Sequence, residues 1–424
     1  MLYPREGNAT LRRGESAGCV WSLVDKNGVD YFYGVATPTP SESGRADVRA
    51  QIFSALENLQ SAREELDIDN VVKLEVFLRN IGDKELVRAA IASCWGEALT
   101  PATTFVAQTP CDPDVDVIFL AVAVNSSPDS PNSMPISVYE CGEHASVVEY
   151  DDVTVGFFGG IIPNPEPVGA YDRAFNAFGK LRAEIEANGF LFPHVFRTWL
   201  YQGHIVLPEG DTQRYKELNR ARSDFFYGTR FIEERLPADF PRGPVYPAST
   251  GIGADDVDVA FGAIAIRTDR KDVILAPLEN PNQTPAFDYA EFYSPKSPKF
   301  SRAMAVSFND RAAVYVSGTA SIVDQKTVHL GDAAKQTHQT LDNIAALIGG
   351  ANLAKYGVPG FDATLADLAD ARVYVKRAED YPVVRAICEE RLAGVPLVYT
   401  FADVCRDDLL VEIEGVVACR PAEA

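Results

Sequence analysis

The sequence predicts an α+β protein in which one αβ unit occurs three times in a single chain, packed about a pseudo-threefold axis. Two observations carry this. The order strand, helix, strand, helix, strand, strand comes back twice after its first appearance, and Pro101-Ala102-Thr103-Thr104 matches Pro247-Ala248-Ser249-Thr250, both falling where Pro396 to Thr400 falls in the third copy. Repetition over so long a span marks similar domains rather than a solenoid, whose repeats run to ~20–50 residues. Three copies in one chain can supply what three chains supply in a homotrimer. A monomer or dimer is therefore expected, with clefts between neighbouring units as the natural pockets.

In the first unit, residues 1–125, YFYGVAT at 31–37 reads as a strand and 47–66 as an amphipathic helix with Ile52, Leu56 and Leu59 on one face. Residues 71–78 alternate as a strand, 83–95 as a second helix, and 103–107 and 115–124 as the closing strands. The Ser/Pro/Asn-rich stretch at 126–135 has the composition of a boundary. The second unit, 136–267, repeats the order: strand 155–161, helix 171–188 with Phe175, Phe178, Leu181 and Ile185, strand 195–201, helix 212–226, strands 246–251 and 257–266. Residues 268–302 read as an insertion rich in Pro, aromatic and basic residues. Its Phe287, Tyr289, Phe292 and Tyr293 favour an ordered lid over disorder. The third unit, 303–424, runs from a strand beginning at Ala313 through helix 333–348, strand 371–376 and helix 381–392 to a final strand pair between 396 and 417.

At 424 residues the chain is too long for one ordinary core, and a 46% hydrophobic composition supplies apolar material for several. With 39 Lys and Arg against 60 Asp and Glu, the formal charge of -21 repels phosphate backbones and argues against a nucleic-acid partner. A small anionic ligand would need a local basic pocket. Seven widely spaced cysteines without a CxxC pair, and five histidines without HExxH spacing, imply neither disulfides nor a metal. The N-terminus lacks an apolar leader core and no run of 18 apolar residues occurs, so no membrane partner is expected and the cytoplasm is the expected compartment.

The last strand carries Glu412 and Glu414 at alternate positions, hence on one face. Facing solvent, they would carry no chemistry. Facing a cleft, burial would raise a carboxyl's pKa and yield a proton donor near neutral pH. The strand alone leaves both readings open.

VYVSGTASI, QTHQTLDNIAALI and VEIEGV in the third unit resemble the RidA (YjgF) family over that unit's whole length, and the first two units look like diverged members of the fold, which the trimeric AroH-type chorismate mutases share. That family's carboxylate-binding arginine is replaced here by Val398 or a neighbour, which disfavours imine deamination. A closer resemblance covers roughly the last 300 residues, where YKELNRARSDFF, YPASTGIG, YSPKSPKFSRA and VCRDDLLVEIEG look in order like the chorismatases. The full first unit departs from that pattern, in which it is shorter.

The resemblance implies a cofactor-free enzyme acting on chorismate, a dianion, in a site between the second and third units. Glu412 falls at the family's acid and would protonate the enolpyruvyl methylene, with Glu414 as fallback; the matching strand of the first unit carries no glutamate. Arg220, Arg302 and Arg372 are the candidate carboxylate binders, with Arg222 and Lys299 close behind, because bidentate guanidinium contacts suit a dicarboxylate. Tyr293 matches a substrate-facing tyrosine, and Ser249 and Thr250 are either hydroxyl donors or turn residues. Cys405 has no histidine paired with it in sequence, so it reads as pocket lining rather than a nucleophile. With Gly318 it matches the family pair that favours intramolecular chemistry, which gives 3-hydroxybenzoate, over hydrolysis to a dihydroxy-cyclohexadiene carboxylate. A RidA-like deaminase and a non-catalytic ligand-binding protein are the rival readings.

Overall fold

The computed structural model describes residues 10–422 except 27, 42–44, 97–100, 129, 131–132, 242, 257 and 291–295. The first sheet contains β1 (Leu11–Ser16), β2 (Cys19–Asp25), β3 (Val29–Ala36), β4 (Asn70–Leu78), β5 (Ala102–Ala107) and β6 (Val117–Ser126), in the order β1-β2-β3-β6-β4-β5. The second contains β7 (Ser137–Glu140), β8 (Ala145–Tyr150), β9 (Val153–Ile161), β10 (Val195–Gly203), β11 (Ala248–Ala254) and β12 (Val259–Thr268), in the order β7-β8-β9-β12-β10-β11. The third contains β13 (Ile274–Leu278), β14 (Ala303–Phe308), β15 (Arg311–Ala320), β16 (Leu368–Val375), β17 (Leu397–Phe401) and β18 (Val411–Pro421), in the order β13-β14-β15-β18-β16-β17. One strand order thus occurs three times, with a parallel pair at the same edge of each sheet.

Helices α1 (Val48–Glu65) and α2 (Lys84–Trp95) belong to the first unit, α3 (Ala170–Ala187) and α4 (Arg214–Phe225) to the second, and α5 (Ala333–Ile348) and α6 (Tyr381–Arg391) to the third. Their sequences specify them locally. Asp47 caps α1 by accepting from the Ala50 amide at 2.8 Å, and Asp332 caps α5 through the Lys335 amide at 3.0 Å. In α1 the buried Ile52, Ala55, Leu56, Leu59 and Ala62 recur at helical spacing and form the stripe laid on the sheet. Strands β3, β10 and β16 are buried along their whole length, because helices cover one face and the other sheets cover the opposite one.

The strands read first in each unit are β3, β9 and β15, but each is preceded by two more. Of these six, β1 is the polar LRRGES, β7 is the largely exposed SVYE, and β13, ILAPL, is apolar but contains Pro277, whereas β2 (CVWSLVD), β8 (ASVVEY) and β14 (AMAVSF) carry ordinary apolar strand signal. Proline is confined to edge strands, which is where β13 lies. The segment 268–302 is therefore not wholly an insertion, since β13 pairs with β14 as part of the third sheet.

The three sheets meet in a buried charged interior. Arg197 and Trp199 of β10 reach Glu414 of β18, with Trp199 Nε1 3.0 Å from its carboxylate. Arg372 of β16 pairs with Glu75 of β4, and its Nε lies 3.7 Å from Glu414. Lys73 contacts Glu75 at 2.8 Å, Tyr201 donates to Glu75 at 2.9 Å, and Asp370 lies 3.4 Å from Arg372. Burial alone would raise Glu75, but Arg372 and Lys73 hold it down at about 2. Burial lowers Lys73 to about 8.

These ions pair across all three sheets, so stripping one partner leaves the others uncompensated. Arg372→Met is expected to lower the unfolding free energy by ~3–5 kcal/mol in denaturant titration. A loss below about 1 kcal/mol would show that the network contributes little beyond an ordinary substitution.

Candidate active site

Because side chains alternate along β18, Glu412 and Glu414 share a face but end in different surroundings. Glu414 is wholly buried and accepts from Arg197, Thr250, Trp199 and Tyr374, the last at 2.6 Å. Glu412 sits opposite Ala320 of β15 and Tyr374 of β16 and lines a cavity of about 1020 Å³ between the second and third sheets. No described residue donates a hydrogen bond to its carboxyl. Burial, reinforced by the Glu414 charge, pushes Glu412 up to about 8, with Arg302 and Arg197 pulling the other way. It is thus a carboxylic acid at neutral pH, facing the space where a substrate would lie.

Gly318 makes room for it. The β15–β18 register shifts between Val316 and Thr319, and the Gly318 amide donates to Thr250 Oγ1 at 3.0 Å. A Cβ at this position would collide with Glu412 Oε1 and stand 3.1 Å from Thr250 Cγ2. The glycine is required by this close approach rather than by a turn.

Opposite the acid lie two buried guanidinium groups. Arg302 lies 5.4 Å from the Phe300 ring and donates to Tyr289 Oη at 2.6 Å. Arg222, on α4, lies 5.4 Å from the same ring, donates to Asn219 at 2.6 Å and is 3.4 Å from Ser249 Oγ. The Nε of each is buried without a hydrogen-bond partner among the described residues. Such donors are costly to bury unless something accepts from them. Burial lowers the Arg222 pKa, whereas Arg302, despite burial, is raised by Tyr289 and Glu279.

Cys405 lines the same cavity, and burial, then Glu412, pushes its thiol up to about 12. A thiol so protonated is a wall, not a nucleophile. Arg406, also lining, donates to Gln325 O at 3.0 Å and lies 5.3 Å from the Tyr289 ring.

Of the sequence candidates, Glu412, Gly318, Cys405, Arg302, Arg222 and Ser249 meet in this cavity. Arg220 does not: it is half exposed, pairs with Glu217 and lies 4.1 Å from the Tyr171 ring. Two residues along a helix face opposite ways, so Arg220 points out where Arg222 points in. Arg372 does not either, being committed to the central network. Lys299 bonds Ser297 at 2.9 Å and sits by Tyr246. Tyr293 lies outside the described residues. Thr250 belongs to the wall behind Glu412, and Val398 is fully buried. Tyr215, Tyr289 and Arg406 line the cavity without having been singled out as binders. The helical spacing of Tyr215, Asn219 and Arg222 was the available signal for one of them and for choosing Arg222 over Arg220.

No group of His, Cys, Asp and Glu among the described residues is placed to hold a metal, and no helix there is long and apolar enough to cross a membrane. No family model matches the chain. A 3-hydroxybenzoate synthase from Streptomyces hygroscopicus is 36% identical over 286 residues, covering 66% of this chain and 78% of that protein. A chorismatase from Streptomyces rapamycinicus is 41% identical over 232 residues, covering 54% of this chain and 65% of that protein. The crystal structure of a chorismatase superimposes with a TM-score of 0.63 at 22% identity, covering 92% of this chain and 98% of that one. That coverage takes in the first unit, so its length is no departure from the fold.

The raised Glu412 has a consequence for stability. A folded pKa of about 8 against an ordinary 4.5 means that the native state holds this proton more tightly. The stabilisation is fully present below about 4.5 and is lost as pH rises through about 8. Glu412→Gln does not titrate, so its unfolding free energy is expected to gain steadily on that of the wild type between about pH 5 and pH 9. Parallel pH curves for the two proteins would show that Glu412 is not a raised carboxyl.

Proposed function

The chain belongs to the chorismatase family, and from that premise we propose that it converts chorismate to 3-hydroxybenzoate and pyruvate in the cavity between the second and third sheets. What supports this placement above all is Glu412, an uncharged buried acid facing a cavity that also holds two buried arginines with unbonded Nε groups. Arg302 and Arg222 take the substrate carboxylates, with the Tyr289 phenol beside them. Glu412 then delivers its proton to the enolpyruvyl methylene, leaving an oxocarbenium ion whose charge is met by the carboxylate just formed.

From that ion two courses balance. Attack by water gives a hemiketal that breaks its bond to the ring oxygen, leaving pyruvate and a dihydroxy-cyclohexadiene carboxylate. Capture by the substrate's own neighbouring ring hydroxyl instead gives a cyclic ketal, which loses a ring proton as that hydroxyl's bond to the ring breaks and then releases pyruvate, leaving 3-hydroxybenzoate with no water added. Gly318 lets Glu412 stand close against β15, and Cys405, a weak hydrogen-bonding group lining the cavity, is poor at ordering a water. The second feature favours the intramolecular course. Every step uses a proton or a charge that the chain itself supplies, so we propose no cofactor.

The seven free cysteines suit a reducing compartment, and we place the enzyme in the cytoplasm. A fractionation that finds it in a membrane or secreted fraction would reverse this. We also read the chain as a monomer or dimer, since its own three sheets already bury the charged interior. Sedimentation of an obligate trimer would contradict that.

One assay tests the function: chorismate in oxygen-18 water, with products separated by chromatography, for the wild type and Glu412→Gln. The wild type is expected to release pyruvate and 3-hydroxybenzoate, with rates falling above about pH 8 as Glu412 ionises. Glu412→Gln should keep KM near its starting value and lose a factor of ~10²–10⁴ in kcat. Activity within about threefold of wild type would move the acid elsewhere, and a dominant dihydroxy-cyclohexadiene carboxylate, itself unlabelled because the water oxygen leaves in pyruvate, would show that water wins.

A further inference from the structure

The active cavity has a counterpart between the first and second sheets. There β5 faces β9 as β11 faces β15, and the Gly160 amide donates to Thr104 Oγ1 at 2.9 Å just as the Gly318 amide donates to Thr250 Oγ1 at 3.0 Å. The residue before each hydroxyl, Thr103 or Ser249, lines its cavity, as does each glycine. The second helix of the unit also contributes to both: α4 supplies Arg222 to the active cavity, and α2 supplies Lys84 and Arg88 to its counterpart. The second cavity is smaller, about 350 Å³ against about 1020 Å³.

Two differences decide what it can do. Where β18 presents Glu412, the equivalent strand β12 presents Val259 and Ala260, so the strand itself carries no acid there. Asp256 and Asp258, on the loop before β12, do line the space, Asp258 paired with Arg173. The basic groups, by contrast, remain. Arg88 lies 4.8 Å from the Phe105 ring and pairs with Glu143, while Lys84 of α2 and Lys180 of α3 line the space and form no ion pair among the described residues. The apolar surface comes from Phe105, Val106 and Ile162.

We propose that this cleft is a second, non-catalytic binding site for a small aromatic carboxylate, its ring against Phe105 and Ile162 and its carboxylate between Lys84 and Lys180. Amines on opposite units bridged by one carboxylate would tie the first sheet to the second. The pocket dimensions suit a single ring with one carboxylate, and a preformed concave wall keeps the ordering cost of such a ligand low.

The test uses benzoate titrated calorimetrically into the full-length protein. Two binding events are expected. Lys84→Ala/Lys180→Ala should weaken one event by about tenfold or more, leave the other, and leave kcat and KM for chorismate unchanged when benzoate is absent. Arg302→Ala should remove the other event instead. The lysine-dependent event should also weaken with added salt, as partly exposed ion pairs do. A single event lost in Arg302→Ala and untouched by the lysine pair would overturn the proposal, as would two events both indifferent to the lysines, or no binding at all. The outcome is separable from the catalytic reading, because a lysine-dependent event would persist even in a chain that left chorismate unchanged.

Discussion

The buried ion cluster at the meeting of the three sheets is the constraint on which the rest of the molecule depends. Lys73 and Glu75 come from the first sheet, Arg197 from the second, and Asp370, Arg372 and Glu414 from the third. Charges removed from water are tolerable only when opposite charges and donors surround them, and here each sheet supplies partners for another. No one sheet could bury its own share unaided. The cluster therefore specifies a single relative placement of the sheets, and the cavities between them inherit their geometry from it.

Its most direct consequence is the division of labour between Glu414 and Glu412. They are two residues apart on one strand, and the same backbone geometry points them the same way. Glu414 meets four donors and is fixed by them. Glu412 meets none among the described residues, faces a cavity, and feels both burial and the charge of its neighbour. Two carboxyls of identical chemistry are separated by environment, one tied down by four donors and the other raised and facing a cavity.

Internal repetition explains why such a site exists at one junction and not equivalently at the next. The hydroxyl-to-glycine-amide bond recurs at Thr104 and Gly160 and at Thr250 and Gly318, so the scaffold of the cleft was copied with the fold. The acid was not. A sheet edge can keep its packing while a lining residue changes from Glu to Val or Ala, because burial favours the apolar side chain unless the carboxyl is needed.

Much of this was legible in the chain. Strand and helix periodicities gave the three units, since α1, α3 and α5 show their buried stripes plainly. The motifs around Glu412, Gly318, Cys405 and Arg302 named residues that line one cavity, because they fall on the strands of the third sheet or on the turns between them. Of the six extra strands, β1, β7 and β13 were not legible, being polar, exposed or proline-bearing and held by pairing with neighbours, whereas β2, β8 and β14 carry apolar runs of their own. Nor could sequence separate the arginines. Arg220 and Arg222 differ by two positions and Arg372 sits on a strand like any other, yet one is exposed, one lines the cavity and one pairs with Glu75. Local sequence determined which residues could bear charge and which elements would carry them. Which charges face each other, which are neutralised and which stay available to a ligand depended on sheets brought together from positions as far apart as Glu75 and Arg372, because electrostatic environment is a property of distance in space and of burial, and neither is set by neighbours along the chain.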